Sequence, residues 1–240
     1  MVAADGAWLR RAYEINFNTF KDFVDEPGRP LGYLFLDKLF QLSAPLPTIG
    51  VHSRTEYFDS LLRSSAKLDS SFLDEVHETR ARVASSRNEA DVLDALRSVR
   101  PEIREAVAAD AVDKMSAPEV TKSTEHALQP FADLLLPNPR SIKRFLNSYS
   151  ITRALRTLEG NPVDRDALAL WTILQSRWPS LGDYLERNPE FLDYLESNTD
   201  RVGMPDWFCR IADSRELQRF LKHGPVRLTP ELIRQCCGGR

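Results

Sequence analysis

The sequence predicts a mainly α-helical protein that opens on one short strand. Three observations carry that prediction. Apolar residues recur at spacings of three and four along most of the 240-residue chain. Capping residues stand ahead of these runs, and no alternating apolar and polar segment appears after Ser53. With 42% hydrophobic and 28% charged residues, there is apolar material for one domain or a compact pair.

The elements follow in order. Met1 to Ala4 is a short apolar run ending at Asp5, which reads as a strand; Trp8, Leu9, Ala12, Tyr13, Phe17 and Phe20 then recur at helical spacing. Pro27-Gly28-Arg29-Pro30 breaks the pattern, and Leu31 to Gln41 resumes it as a short helix before Pro45-Leu46-Pro47. Ser53 with Glu56 forms a capping box ahead of Tyr57, Leu61 and Leu62. Asn88 caps a helix carrying Val92, Leu93, Leu96 and Val99, and Pro101 stands at a first helical position ahead of Ile103 and Val107. The stretch from Asp69 to Lys122 is charge-rich and weakly apolar, which suits an insertion or a peripheral helical hairpin. Asn138-Pro139 opens the best-defined helix, with Gly160 as its stop. Further caps are expected at Asp164, at Asn188 with Pro189, at Ser214 with Glu216, and at Thr229 with Pro230, so the last third is several short helices.

Several function classes lose support at this level. Lys plus Arg total 32 against 35 Asp plus Glu, a net charge of -3, so no nucleic-acid partner is expected and any anion site must be local. No apolar run approaches the roughly 20 residues needed to cross a bilayer. Met1-Val2-Ala3-Ala4-Asp5 has neither a charged leader nor an apolar signal core, which predicts a cytoplasmic location. Cys209, Cys236 and Cys237 lack C-x-x-C spacing, and His52, His77, His126 and His223 are scattered, so no metal is expected to be held by them. There is no G-x-S-x-G elbow. Trp171 and Trp178, seven apart, fit a core ridge better than a stacking platform for bases.

The informative segment is the helix beginning at Asn138. Ile142, Phe145, Leu146 and Tyr149 fall on one face, with Arg140, Lys143, Arg144 and Asn147 opposite. A helix N-terminus already carries about half a positive charge, so each cation there costs about 0.3 to 1 kcal/mol. Three of them call for an anion: either a phosphate group, or solvent and nearby carboxylates such as Asp133.

The stretch N-P-R-S-I-K-R-F-L-N from Asn138 to Asn147 resembles the P-R-x-x-K-R-x-x-N signature of the helical lid in KAP-family P-loop NTPases, which are related to the AAA+ and STAND ATPases. Val2 to Asp5, Trp8-Leu9, P-L-G-Y-L-F-L-D-K-L-F-Q from Pro30 to Gln41, and Leu46-Pro47 are similar to that family's late core strand and the segments after it. The run from Leu158 to Pro179 looks like the helices that follow the signature in one bacterial branch. The resemblance covers about Met1 to Leu62 and His126 to Leu185.

It implies that the opening strand is the remnant of a P-loop α/β core, with Asp5 near the sensor-1 position. Arg140 would be the sensor-2 arginine reaching a terminal phosphate, with Lys143 and Arg144 beside it. The chain would divide into the end of the core (1–66), a variable helical insertion (67–125), a helical lid (126–185) and a C-terminal helical region (186–240). ATP and Mg²⁺ are expected only together with a P-loop half, supplied upstream in cis or by a homo-oligomer neighbour. The sequence has no G-x-x-x-x-G-K-[ST] and no Gly-Lys pair, so no catalytic residue is assigned and the chain alone is not expected to hydrolyse ATP. Tyr33-Leu34-Phe35-Leu36-Asp37 mimics a Walker B strand, but a lysine follows the carboxylate and no P-loop precedes it. Asp37 and Lys38 are expected to stabilise the lid or an interface instead. At family level, some members are membrane-associated through an insertion in the core and some are linked to phage exclusion; the membrane segment would lie outside this chain. The competing expectation is a stand-alone helical module that binds a protein partner through its C-terminal helices and has no nucleotide role.

Overall fold

The computed structural model describes residues 4–23, 28–40, 70–196, 204–223 and 226–238. Among them the chain is helical throughout, with no strand. The helices are α1 (Gly6–Asn16), α2 (Leu31–Leu39), α3 (Ser70–Ser85), α4 (Glu89–Arg97), α5 (Pro101–Ser116), α6 (Pro118–Ala127), α7 (Pro139–Leu158), α8 (Arg165–Arg177), α9 (Pro179–Arg187), α10 (Leu192–Glu196), α11 (Asp206–Ala212), α12 (Arg215–Leu221) and α13 (Pro230–Cys237). Short 3-10 turns cover Asn18–Phe23, Gln129–Leu134 and Pro189–Phe191. The helical prediction holds, and no strand remnant is seen in the described part. Ala4 and Asp5 lead straight into α1, while Val2 and Ala3 lie outside the described residues. So do the Pro45–Pro47 stop and the Ser53 capping box with Tyr57, Leu61 and Leu62.

Two compact units are present. One comprises Met1–Ser43, Ala127–Arg153 and Val163–Arg240; the other comprises Ala44–His126 and Ala154–Pro162. In the first unit, α1 and α2 approach closely because Gly32 has no side chain: a Cβ there would lie 2.8 Å from the Arg10 carbonyl oxygen. Tyr13 stacks on Phe35 with centroids 3.6 Å apart. Gly28, at φ +79°, brings the chain against Trp178 and Ile211, and its carbonyl accepts the Ser180 amide at 3.2 Å. An L side chain there is disfavoured twice, by the left-handed backbone and by contact at 2.9 Å with Ile211 Cδ1.

The first unit's core gathers Phe145 and Tyr149 of α7, Trp171 and Leu174 of α8, Leu181 and Leu185 of α9, Phe208, Phe220 and Ile233. Trp171 and Trp178 both lie in it, as a core ridge requires, although Trp178 stands at the junction of α8 and α9 rather than within α8. Ile142 was expected on this face but is 42% exposed; it sits in the first turn of α7, beyond the core that Phe145 and Tyr149 enter. Arg177 pins the end of α8 by donating to the Leu134 carbonyl at 2.9 Å, pairing with Glu216 and lying 4.7 Å over the Trp178 ring.

The caps act largely as their residue types dictate. Asn88, Asp164, Ser214 and Thr229 each accept an amide hydrogen bond from the first turn of the helix that follows. Asn188 departs from its expected role. Its Nδ2 donates backward to the Tyr184 carbonyl at 3.2 Å, closing α9, and a 3-10 turn precedes α10. The stop at Gly160 takes the form expected of a glycine at φ +69°: the Asn161 amide donates to the Arg156 carbonyl and the Gly160 amide to that of Thr157.

The second unit has a core of its own. Val76 and Val83 of α3, Val92 and Leu96 of α4, and Ile103, Val107, Ala111 and Met115 of α5 pack together. The spacing on α5 is four throughout, and its small residues let helices approach without a high apolar content. A charge-rich stretch thereby still forms a packed array.

Candidate functional site

The candidate residues belong to two places in the first unit. Asp5 is the N-cap of α1: its Oδ1 accepts the Ala7 amide at 2.8 Å and the Trp8 amide at 3.1 Å. Its exposed carboxylate thus serves its own helix, and no bond between it and the cations of α7 is found among the described residues.

The cations of α7 meet the end of α2. Asn138 accepts the Ser141 amide at 2.7 Å and opens the helix, which sets Arg140 at its second residue. Arg144 Nη2 donates to Asp37 Oδ1 at 2.6 Å, while Arg29 Nη2 donates to Asp37 Oδ2 at 3.0 Å. Arg140 Nη2 donates to the Asp37 carbonyl oxygen at 2.6 Å and to that of Lys38 at 3.3 Å. Lys143 is exposed on the neighbouring surface. Arg140 and Arg144 therefore converge on one residue, and Asp37 rather than Asp133 supplies the carboxylate.

Helix electrostatics explain this junction. Cations in the first turns of α7 face that helix's positive end, and a carboxylate in the last turn of α2 faces that helix's negative end. Each placement is unfavourable alone. Brought together, the cations of α7 satisfy both the Asp37 carboxylate and the terminal carbonyls of α2, which lack intrahelical donors. The Arg144 and Asp37 side chains are 28% and 26% exposed, so their pairing is worth on the order of 1 kcal/mol.

Asp37 was legible as a stabilising residue, but its role as the acceptor for two arginines was not. The available signal was its position: an acid in a final helical turn needs a cation as much as arginines in a first turn need an anion.

A second polar cluster was not anticipated. The Tyr33 hydroxyl donates to Asp183 Oδ2 at 2.5 Å, Arg10 Nη2 donates to the same oxygen at 2.9 Å, and the Arg10 guanidinium lies 4.2 Å over the Tyr33 ring. Burial, followed by the Asp183 hydrogen bond and charge, pushes the Tyr33 phenol well above its ordinary value of 10.0. Tyr33 stays protonated and, with Arg10, ties α1 and α2 to α9.

Among the described residues, no group of three or more His, Cys, Asp or Glu side chains could hold a metal ion. No helix among them is long and apolar enough to cross a membrane. No family model, curated protein or solved structure matches this chain.

Proposed function

We propose that the chain is the C-terminal part of a KAP-type ATPase. In this reading it provides the helical lid and a C-terminal helical region, and Arg140 contacts the terminal phosphate of ATP held on a P-loop core. That core would be supplied upstream in cis or by a neighbouring copy. The observation that carries the reading is the division of labour among the α7 cations. Arg144 is committed to the Asp37 carboxylate, whereas exposed Arg140 is held through one nitrogen by two carbonyl oxygens. Exchanging neutral carbonyls for a phosphate strengthens each hydrogen bond by making it charge-assisted on both sides, so Arg140 is the cation free to turn toward a nucleotide.

The fit to ATP is partial. Arg140, exposed Lys143 and the first-turn amides of α7 suit a terminal phosphate. The sequence offers no glycine-rich lysine loop for the remaining phosphates. In this reading hydrolysis and Mg²⁺ binding belong to the P-loop half, and sensing to this chain.

A second reading is a stand-alone helical interaction module with no nucleotide role. It is favoured by the internal pairing of Arg144 with Asp37, and by Trp8 and Ile15 of α1, which are 68% and 64% exposed. The coding DNA ahead of Met1 separates the two. The ATPase reading expects an in-frame glycine-rich P-loop followed by a strand ending in an acidic pair. A stop codon and promoter immediately upstream, with no P-loop gene alongside, contradict the cis form and favour the module.

A further inference from the structure

We propose that the C-terminal turn of α2 is a built-in competitor for the anion that Arg140 and Arg144 would bind, so that occupancy of the site releases α2 from α7. The inference rests on the sensor reading of Arg140 and adds its regulation. Asp37 presents to α7 what an oxyanion would present: a carboxylate oxygen 2.6 Å from Arg144 and a backbone oxygen 2.6 Å from Arg140. The second carboxylate oxygen is taken by Arg29, which anchors the mimic from its own side of the junction.

Arg140 Nη2 carries two N–H groups and already serves two backbone oxygens, so a phosphate oxygen taken by that nitrogen displaces one of them. A multivalent phosphate bound through Arg140 Nη2 therefore carries the cost of uncapping the Asp37 or Lys38 carbonyl. If the phosphate also engages Arg144, the Asp37 carboxylate loses one of its two arginines. The same linkage runs in reverse: loosening α2 makes the site more receptive. Asp37 thus sets the threshold for anion binding without touching the anion.

Inorganic tripolyphosphate titrated into the full chain by calorimetry, at fixed ionic strength, tests the competition. Asp37→Asn, which leaves the backbone acceptors but removes the carboxylate, is expected to raise affinity by about three- to tenfold, the range of a partly exposed ion pair. Arg140→Ala is expected to abolish binding. Asp206→Asn, at the exposed first residue of α11, makes the same change in net charge and is expected to leave affinity unchanged. On the parent chain, with no substitution to disturb folding, saturating tripolyphosphate is expected to speed amide exchange from Asp37 to Phe40. Binding that depends on Arg140, with Asp37→Asn at parental affinity and no change in exchange, overturns the competition while sparing the sensor reading. Absence of Arg140-dependent binding in both parent and Asp37→Asn overturns both.

Discussion

Asp37 and Tyr33 lie on the same nine-residue helix, and their side chains are used for different ends. Tyr33 donates its hydroxyl hydrogen to a half-buried bond with Asp183, in a place where ionisation would set a phenolate beside a carboxylate. The folded chain therefore holds this proton more tightly than the unfolded chain does. The sign follows: the stability contributed by Tyr33 is fully present below its ordinary value of 10.0 and is lost as pH rises above it. Tyr33→Phe removes a hydrogen bond to a charged acceptor, with an expected cost of about 1.5 to 3 kcal/mol near neutrality. Urea unfolding of both proteins at neutral pH and above pH 10.0 should show that gap shrinking on the alkaline side. A gap that stays constant would mean that Tyr33 does not titrate with folding. At this scale the sequence revealed the candidates but not their partners. Local periodicity says which face Arg144 occupies and nothing about an acceptor 107 residues away.

Helix starts and stops were the most legible features, because a cap is decided by residues three or four apart. Asn88, Asn138, Asp164, Ser214, Thr229 and Gly160 all act within that range. Asn188 shows where local reading runs out. The same side chain can open the following helix or close the preceding one, and here it donates to Tyr184. Of the strand expected over Met1 to Ala4, only Ala4 falls among the described residues, and it leads with Asp5 into α1. Between elements, the junction of α2 with α7 is the contact on which the site depends. A double-mutant cycle of Asp37→Ala and Arg144→Ala, read by chemical unfolding, should give a coupling energy of about 1 kcal/mol. Strict additivity would show that the contact contributes nothing to stability.

For the molecule as a whole, the sequence foretold a helical protein and set the charge-rich stretch from Asp69 to Lys122 apart, but not the packed core it forms. Ile103, Val107, Ala111 and Met115 recur at four-residue spacing along charge-rich α5, a pattern that average hydrophobicity understates. Helix α7 contributes residues to both units, with Pro139–Arg153 in the first and Ala154–Leu158 in the second. Its first turns carry the arginines that meet Asp37, and its end at Leu158 is followed by the Gly160 stop. The proposed reading gives this helix the role of reporting a nucleotide, and Arg140 is the residue on which that role stands. Calorimetric titration of the full chain with ATP tests it most directly. Full ATP and Mg²⁺ binding belongs to the P-loop half, so for this chain alone the account predicts only weak binding without turnover, weakened further by added salt, little changed by Mg²⁺, and lost in Arg140→Ala. Equal ATP affinity in the parent and in Arg140→Ala would contradict it.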